Sequence, residues 1–224
     1  TVLNFPKKKY LFEEIILLND DNVVNTYPKN ISPMFLWMQK LNLPKKPKIL
    51  DIGANIGLYS CFAAKNGITT YSFEPSVFNT EILVKNININ NLNSLITLVP
   101  LCLHQKSLVS NFNLSSDERG AALSTFSESY THDGKKLNIT MSYNTLGISL
   151  DEFIKLFSIP YPNKIKIDVD GIEHLILKGA ENVLKKCDSI LIEVNENFSE
   201  QFREVKTILS ENNFSLKEKN KTSD

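Results

Sequence analysis

A short aliphatic run, Lys48-Ile49-Leu50-Asp51-Ile52, stops at Gly53 and gives way by Gly57 to a helical pattern that ends near Asn66 and Gly67. A strand that turns through glycines directly into a helix opens a βαβ unit, and such a unit commits the strand to a parallel sheet. The rhythm then repeats. A second β-rich run covers about Thr69 to Phe73, and Ser76 caps a helix carrying Phe78, Ile82 and Ile89 on one side. Further strands are expected at about Ile96 to Leu101, Lys164 to Val169 and Ser189 to Val194, with helices between them. The pattern predicts an α/β fold, Rossmann-like, with a mostly parallel central sheet and helices on both faces.

Two regions break the rhythm. Residues 1–45 read as an N-terminal helical segment, with a helix over Pro33 to Leu41 and the Pro44-Lys45-Lys46-Pro47 punctuation separating it from a domain over 46–224. Residues 104–148 are polar, with alternating stretches such as Leu137-Asn138-Ile139-Thr140-Met141, and are expected to form an inserted hairpin or loop. Ser149 and Glu152 then make a capping box for a helix bearing Leu150, Phe153, Ile154 and Phe157. Asp170 and Glu173 stand at the same spacing for the next helix, where Ile172, Leu175, Ile176, Gly179 and Val183 line one side. A last helix over Ser199 to Asn212 shows Phe202, Val205 and Leu209 in phase, and Phe214 to Lys217 is expected to begin a sixth strand.

Composition bounds the partners. Lys plus Arg and Asp plus Glu each total 25, so no basic excess recruits nucleic acid, and Lys7-Lys8-Lys9 reads as a solvated charge run. No apolar run approaches the ~18 residues of a membrane span, so neither nucleic acid nor a membrane is expected as a partner. Cys61, Cys102 and Cys187 are odd in number and widely spaced, which fits neither a disulfide framework nor a CxxC metal site and points to a reducing cytoplasm. Matches to N-x-S/T such as Asn113-Leu114-Ser115 are chance products of an Asn-rich chain.

The stretch Asp51-Ile52-Gly53-Ala54-Asn55-Ile56-Gly57-Leu58-Tyr59-Ser60 falls at the first strand-to-helix turn. Its glycines admit a ligand against the backbone while the helix start presents unpaired N–H groups. The spacing is not the G-x-G-x-x-G of a dinucleotide site, which disfavours a nicotinamide oxidoreductase and suits a cofactor with a carboxylate and an amine. Glu74, before Pro75, ends the second strand where an acidic residue in nucleotide-binding units bonds ribose hydroxyls. On this reading Asp51, Gly53, Ala54, Asn55, Gly57, Ser60, Glu74 and Pro75 form the cofactor-binding set. Asp51 ordering the turn, or Glu74 standing in solvent, are the alternatives.

These residues, with Phe73-Glu74-Pro75, Lys166-Ile167-Asp168-Val169-Asp170-Gly171-Ile172-Glu173 and Leu177-Lys178-Gly179-Ala180, give residues 48–195 a sequence that resembles the FkbM family of class I S-adenosylmethionine-dependent methyltransferases. The resemblance implies S-adenosylmethionine as cofactor, the family's seven-stranded fold and, commonly, O-methylation of sugar or polyketide hydroxyls. Asp170 stands where the family often has Glu. The residues beyond Asn213 are few for a closing hairpin of strands six and seven, so a shortened chain or an unusual edge is expected.

Methyl transfer from a sulfonium asks the protein to align an acceptor and manage its proton. Asp168, Asp170 and Glu173 follow the fourth strand at the cofactor edge of the sheet and are the candidate catalytic carboxylates, although Asp170 and Glu173 equally suit a helix cap worth about 1 kcal/mol. Lys166 either neutralises this cluster or points outward into water. Asp168 with Glu193 and Asn195 offers oxygens that suit a divalent metal. His104, His132 and His174 are weaker candidates, and no Ser or Cys triad supports a hydrolase. The expected acceptor is a small molecule or glycan, with the oligomeric state left open. A non-catalytic module that uses residues 104–148 to bind a partner is the alternative.

Overall fold

The computed structural model describes residues 16–19, 22–25, 47–217 and 219. The helix expected over Pro33 to Leu41 lies outside the described residues. Within 1–45 the described segments are strands, β1 (Ile16–Asn19) and β2 (Asn22–Asn25), paired antiparallel. The signal was in the sequence: two short aliphatic runs, Ile16-Leu17-Leu18 and Val23-Val24.

The central sheet holds β3 (Lys48–Ile52), β4 (Thr69–Phe73), β5 (Ile96–Val99), β10 (Lys164–Ile167) and β11 (Ser189–Ile192), all parallel, in the order β11-β10-β3-β4-β5. Chain direction across the sheet reverses between β3 and β10, and a crevice opens beyond their carboxyl ends at such a point. β5 stops at Val99, short of the expected Leu101, because Pro100 brings no N–H to the ladder.

Side chains alternate across these strands, so each face builds its own core. Helix α1 (Leu58–Lys65) and helix α2 (Val77–Ile89) cover one face, where Ile49, Cys61, Phe62, Leu83, Ile87 and Ile96 pack together. Leu50, Ile52, Phe73, Ile165 and Ile167 point the other way. They pack with α3 (Leu150–Leu156), α4 (Glu173–Lys178), α5 (Glu181–Leu184) and α6 (Ser199–Glu211) through Phe153, Ile176, Val183 and Val205. Ser76 caps α2 by accepting the Asn79 N–H, and Ser149 caps α3 by accepting that of Glu152, as the spacing predicts. Gly67 takes the left-handed conformation expected after α1, at φ +75°.

The hairpin or loop expected over 104–148 is a second, four-stranded sheet. β6 (Cys102–Leu103), β7 (Leu108–Leu114), β8 (Ser124–Phe126) and β9 (Met141–Ile148) lie in the order β6-β9-β7-β8. β7 and β9 form its long antiparallel pair, from Leu108 opposite Gly147 to Leu114 opposite Met141. The alternating Leu137–Thr140 stretch precedes β9 instead of belonging to it. Phe214–Lys217 forms no strand, so the expected sixth strand is absent from the described residues. Among those residues no helix is long and apolar enough to cross a membrane.

Candidate active site

β3 and β10 are joined below the crevice by charge. Asp51 and Lys166 are register partners on the α1 face, both buried, with Lys166 Nζ 3.2 Å from Asp51 Oδ1. The same ammonium donates to the Gly53 carbonyl at 2.7 Å and lies 3.3 Å from Asp168 Oδ2. Burial works against its charge, yet the two carboxylates outweigh it and push its pKa up to about 12. The expectation that Lys166 neutralises the acidic cluster therefore holds, and the outward-pointing alternative does not. Ser60 completes this layer from α1, donating to Asp51 Oδ2 at 2.6 Å and lying 2.6 Å from Ser72 Oγ on β4. Asp51 and Ser60 thus set the shape of the glycine turn from behind it.

The turn needs its glycines. Gly53 has φ +76°, and a Cβ there would stand 1.9 Å from the Asp168 carbonyl oxygen. Gly57 has φ +92°, with Leu83 Cδ1 2.2 Å from where a Cβ would sit. The first glycine brings the tips of β3 and β10 into contact; the second seats α1 on α2.

A cleft with a cavity volume of about 160 Å³ opens above this turn, tighter than the roughly 300–1,000 Å³ of most ligand sites. Of the expected cofactor set, Gly53, Asn55, Glu74 and Pro75 line it, whereas Asp51, Ala54, Gly57 and Ser60 lie behind it. Glu74 is buried, so the solvent-exposed alternative fails: Oε2 accepts the Asn55 N–H at 2.8 Å and Oε1 the Ser76 N–H at 2.9 Å. Burial raises its pKa to about 7, against the downward pull of these N–H groups and of more distant Lys166. A carboxylate offers about four lone-pair sites, so acceptor capacity remains for a sugar diol. Asn55 Oδ1 is buried without a partner, an acceptor suited to an ammonium. These orphaned and unfilled acceptors, with the glycine cradle, fit the amino-acid tail and ribose of a sulfonium nucleoside.

Asp168 and Asp170 line the opposite wall. Burial pushes the Asp168 carboxyl up, but Lys166 and a hydrogen bond with Glu193 outweigh it and hold its pKa below the ordinary value. The Asp168 side chain is 41% exposed, in contrast to the 2% of Asp51, and so it is the accessible member of the ion network. Asp170 does not cap α4, contrary to the capping-box expectation: the N-cap is Ile172, with no side-chain cap, and Asp170 Oδ2 instead accepts the Ser124 N–H at 2.9 Å. The sharp turn at Gly171, with φ +114°, carries the carboxylate away from the helix end. Glu173 has its own N–H and that of Gly171 nearby, not that of Asp170, so neither half of the expected box is formed. It is buried against Gln201 Nε2, away from the cleft lining, and burial raises its pKa well above the usual value.

Of the expected metal ligands, Asp168 and Glu193 meet through a hydrogen bond, whereas Asn195 turns back on its own loop. Asn195 Oδ1 accepts the Asn197 N–H at 2.9 Å, and an ammonium beside Asp168 opposes a dication. Among the described residues no group of three or more His, Cys, Asp or Glu is placed to hold a metal ion. His104 is buried with neither ring nitrogen partnered, edge-on to Phe126; His174 faces Glu204, and burial lowers the pKa of both. His132 is exposed on the 127–137 turn.

Sequence reading missed the cleft's roof. Ala121, Ala122, Ser124, Thr125 and Phe126 close one side of it, and Leu101, Cys102, Leu103 and Phe112 supply an apolar wall. Asn79, on the first turn of α2, also lines it. No spacing rule distinguishes Asn79 in an Asn-rich chain, but its place five residues after Glu74 brings it to the same end of β4.

A parallel sheet in this order, with the glycine turn after its central strand and an acid ending the next, defines a class I S-adenosylmethionine-dependent methyltransferase fold. The chain belongs to the FkbM methyltransferase family, whose domain model matches residues 51–216. It is 27% identical over 163 residues to the hexuronic acid methyltransferase AglP of Haloferax volcanii, a match covering 72% of this chain and 60% of that protein. The chain therefore spans about 60% of the length of that curated relative. Among solved structures it is similar to an FkbM methyltransferase from Methylobacillus flagellatus (TM-score 0.51, 19% identity, 76% of this chain and 39% of that one). It is also similar to a precorrin-6y C5,15-methyltransferase from Geobacter metallireducens (TM-score 0.50, 14% identity, 95% of this chain and 84% of that one). Both bear on the fold alone.

Proposed function

We propose that this chain binds S-adenosylmethionine in the cleft above Gly53 and transfers its methyl group to an oxygen of a carbohydrate or related metabolite. The observation that carries the reading is the pairing, in one cleft, of a glycine cradle ending in buried Glu74 with the accessible, charged Asp168 opposite. Gly53, Asn55 and Glu74 would hold the cofactor, which when bound supplies an already activated methyl group. Family membership and the hexuronic acid specificity named for the Haloferax relative support a sugar acceptor.

Asp168 is suited to the acceptor side. Held ionised by Lys166, it accepts a hydrogen bond from an acceptor hydroxyl, orients the oxygen, and takes the proton as the methyl group moves. The apolar wall of Leu101, Leu103 and Phe112 keeps water from competing for that methyl group. No step is routed through a metal. The free thiols of Cys61, Cys102 and Cys187 support a reducing compartment.

The test has two parts. S-adenosylhomocysteine at about 100 times its Kd is expected to stabilise the fold by about 2.7 kcal/mol, with NAD giving no competition. Labelled methyl transfer is then screened over neutral and uronate-containing saccharides. No thermal shift at saturating ligand would remove the cofactor reading; binding without transfer to any sugar would remove the acceptor class.

A further inference from the structure

The segment 119–124 crosses the cleft as a strap, and its backbone is held from three sides. Asn79 binds it at two points, Oδ1 accepting the Gly120 N–H at 2.8 Å and Nδ2 donating to the Ala121 carbonyl at 3.1 Å. Asn55 Nδ2 reaches the Gly120 carbonyl at 3.3 Å, and Asp170 takes the Ser124 N–H at the far end. Between these clamps only Ala121 and Ala122 face the cleft, so the strap roofs it without filling it. Leu123 holds φ +60°, a conformation that a residue with a Cβ disfavours. Bonds from Ser115 to the Ala122 and Leu123 carbonyls and from the Ala121 N–H to Glu118 fold the strap locally, and the clamps fix where it lies over the cleft.

Asn79 is also tied to the cofactor side. It is 4% exposed, its backbone N–H is fixed by Ser76 Oγ, and its side chain lines the cleft beside Glu74, whose pKa it helps to lower. The strap and that carboxylate are joined through Asn55, whose N–H binds Glu74 Oε2 and whose amide binds the same Gly120 that Asn79 holds.

We propose that Asn79 is a positioning residue that latches the 119–124 strap over the cofactor cleft and couples closure of that strap to Glu74. The proposal rests on the cofactor reading above for its consequence, but not for its geometry. A nucleoside engaging Glu74 finds the strap shut behind it, and release requires the Asn79 contacts to part. Asn79 touches no reacting atom; it acts through the strap and through Glu74.

The test is amide hydrogen exchange on the ligand-free chain, followed by S-adenosylhomocysteine dissociation. In Asn79→Ala, exchange at Gly120 is expected to rise at least tenfold while amides of β3 and β4 keep their protection. The dissociation rate is expected to rise by a similar factor, with cofactor KM raised and kcat undiminished. Asn79→Ser, whose hydroxyl suits a first helical turn but cannot span to the strap, gives a second background should the alanine variant fail to fold. Wild-type protection of Gly120 in a folded variant overturns the latch even where the nucleoside binds. Failure of the wild-type chain to bind the nucleoside overturns the cofactor reading and the coupling, while the exchange data still judge the latch.

Discussion

Lys166 and Asp51 form an ion pair across register-matched strands, each almost fully buried, directly beneath the turn that shapes the cleft. Removing one partner leaves the other charged in a dry layer, which typically costs about 3–5 kcal/mol. Lys166→Met is expected to lower the urea midpoint accordingly, with most of the loss arising at Asp51 because Asp168 is reached by solvent. Adding Asp51→Asn to that variant should recover part of the loss, so a double-mutant cycle in urea measures the coupling.

Gly53→Ala should abolish cofactor binding. Its methyl would overlap the Asp168 carbonyl oxygen, a backbone atom that cannot swing aside, at a φ that alanine disfavours. Opening the β3–β10 contact is expected to cost at least 2 kcal/mol on the scale of strained-backbone substitutions. Calorimetry with S-adenosylhomocysteine and a denaturant titration together check both effects.

Glu74 makes binding depend on pH. Its folded pKa is about 7, raised from 4.5 chiefly by burial, so the proton is held more tightly in the folded than in the unfolded chain. Its contribution to stability is fully present below pH 4.5 and is lost as pH rises through 7. Cofactor binding runs the other way, because the ionised carboxylate is the better acceptor for hydroxyls and the better neighbour for a sulfonium. S-adenosylmethionine Kd is therefore expected to tighten between pH 6 and pH 8 in the wild type, and Glu74→Gln should flatten that slope. An equal slope in both proteins would assign the titration elsewhere.

Asp168→Asn should separate chemistry from cofactor binding. The amide keeps the shape but cannot take the acceptor proton, and loss of a general base typically costs about 10²–10⁴ in rate. S-adenosylhomocysteine affinity should stay within a few-fold, since Glu74 and the glycine turn are untouched. Undiminished single-turnover transfer to a sugar hydroxyl would take the base assignment away from Asp168.

The sheet and the glycine turn were legible because their signals are local. Aliphatic runs, glycines at fixed places and a terminal Glu each report on a few neighbouring residues, and the strands fall within a residue or two of expectation. What could not be read depends on residues far apart in sequence. The roof over Glu74 comes from residues 119–124, held through hydrogen bonds to Asn79 and Asp170 that no periodicity encodes. Asp170 shows the limit most directly: its spacing to Glu173 spells a helix cap, but the Gly171 turn and the Ser124 N–H claim the carboxylate for another purpose. Ser60 erred in the same direction, since proximity in sequence to the glycines could not tell the front of the turn from its back.

Cys102 and Leu103 lie side by side with Gly147 and Ile148, as a parallel pair at the root of the second sheet. The excursion therefore departs from and returns to one spot, between a strand and a helix that are themselves anchored in the main core. Although rooted at one spot, the segment reaches back to the cleft, where Asn55, Asn79 and Asp170 bind it. Exchanging the excursion at Leu103 and Ile148 would therefore replace the roof of the cleft together with the bonds that tie it to Asn55 and Asn79.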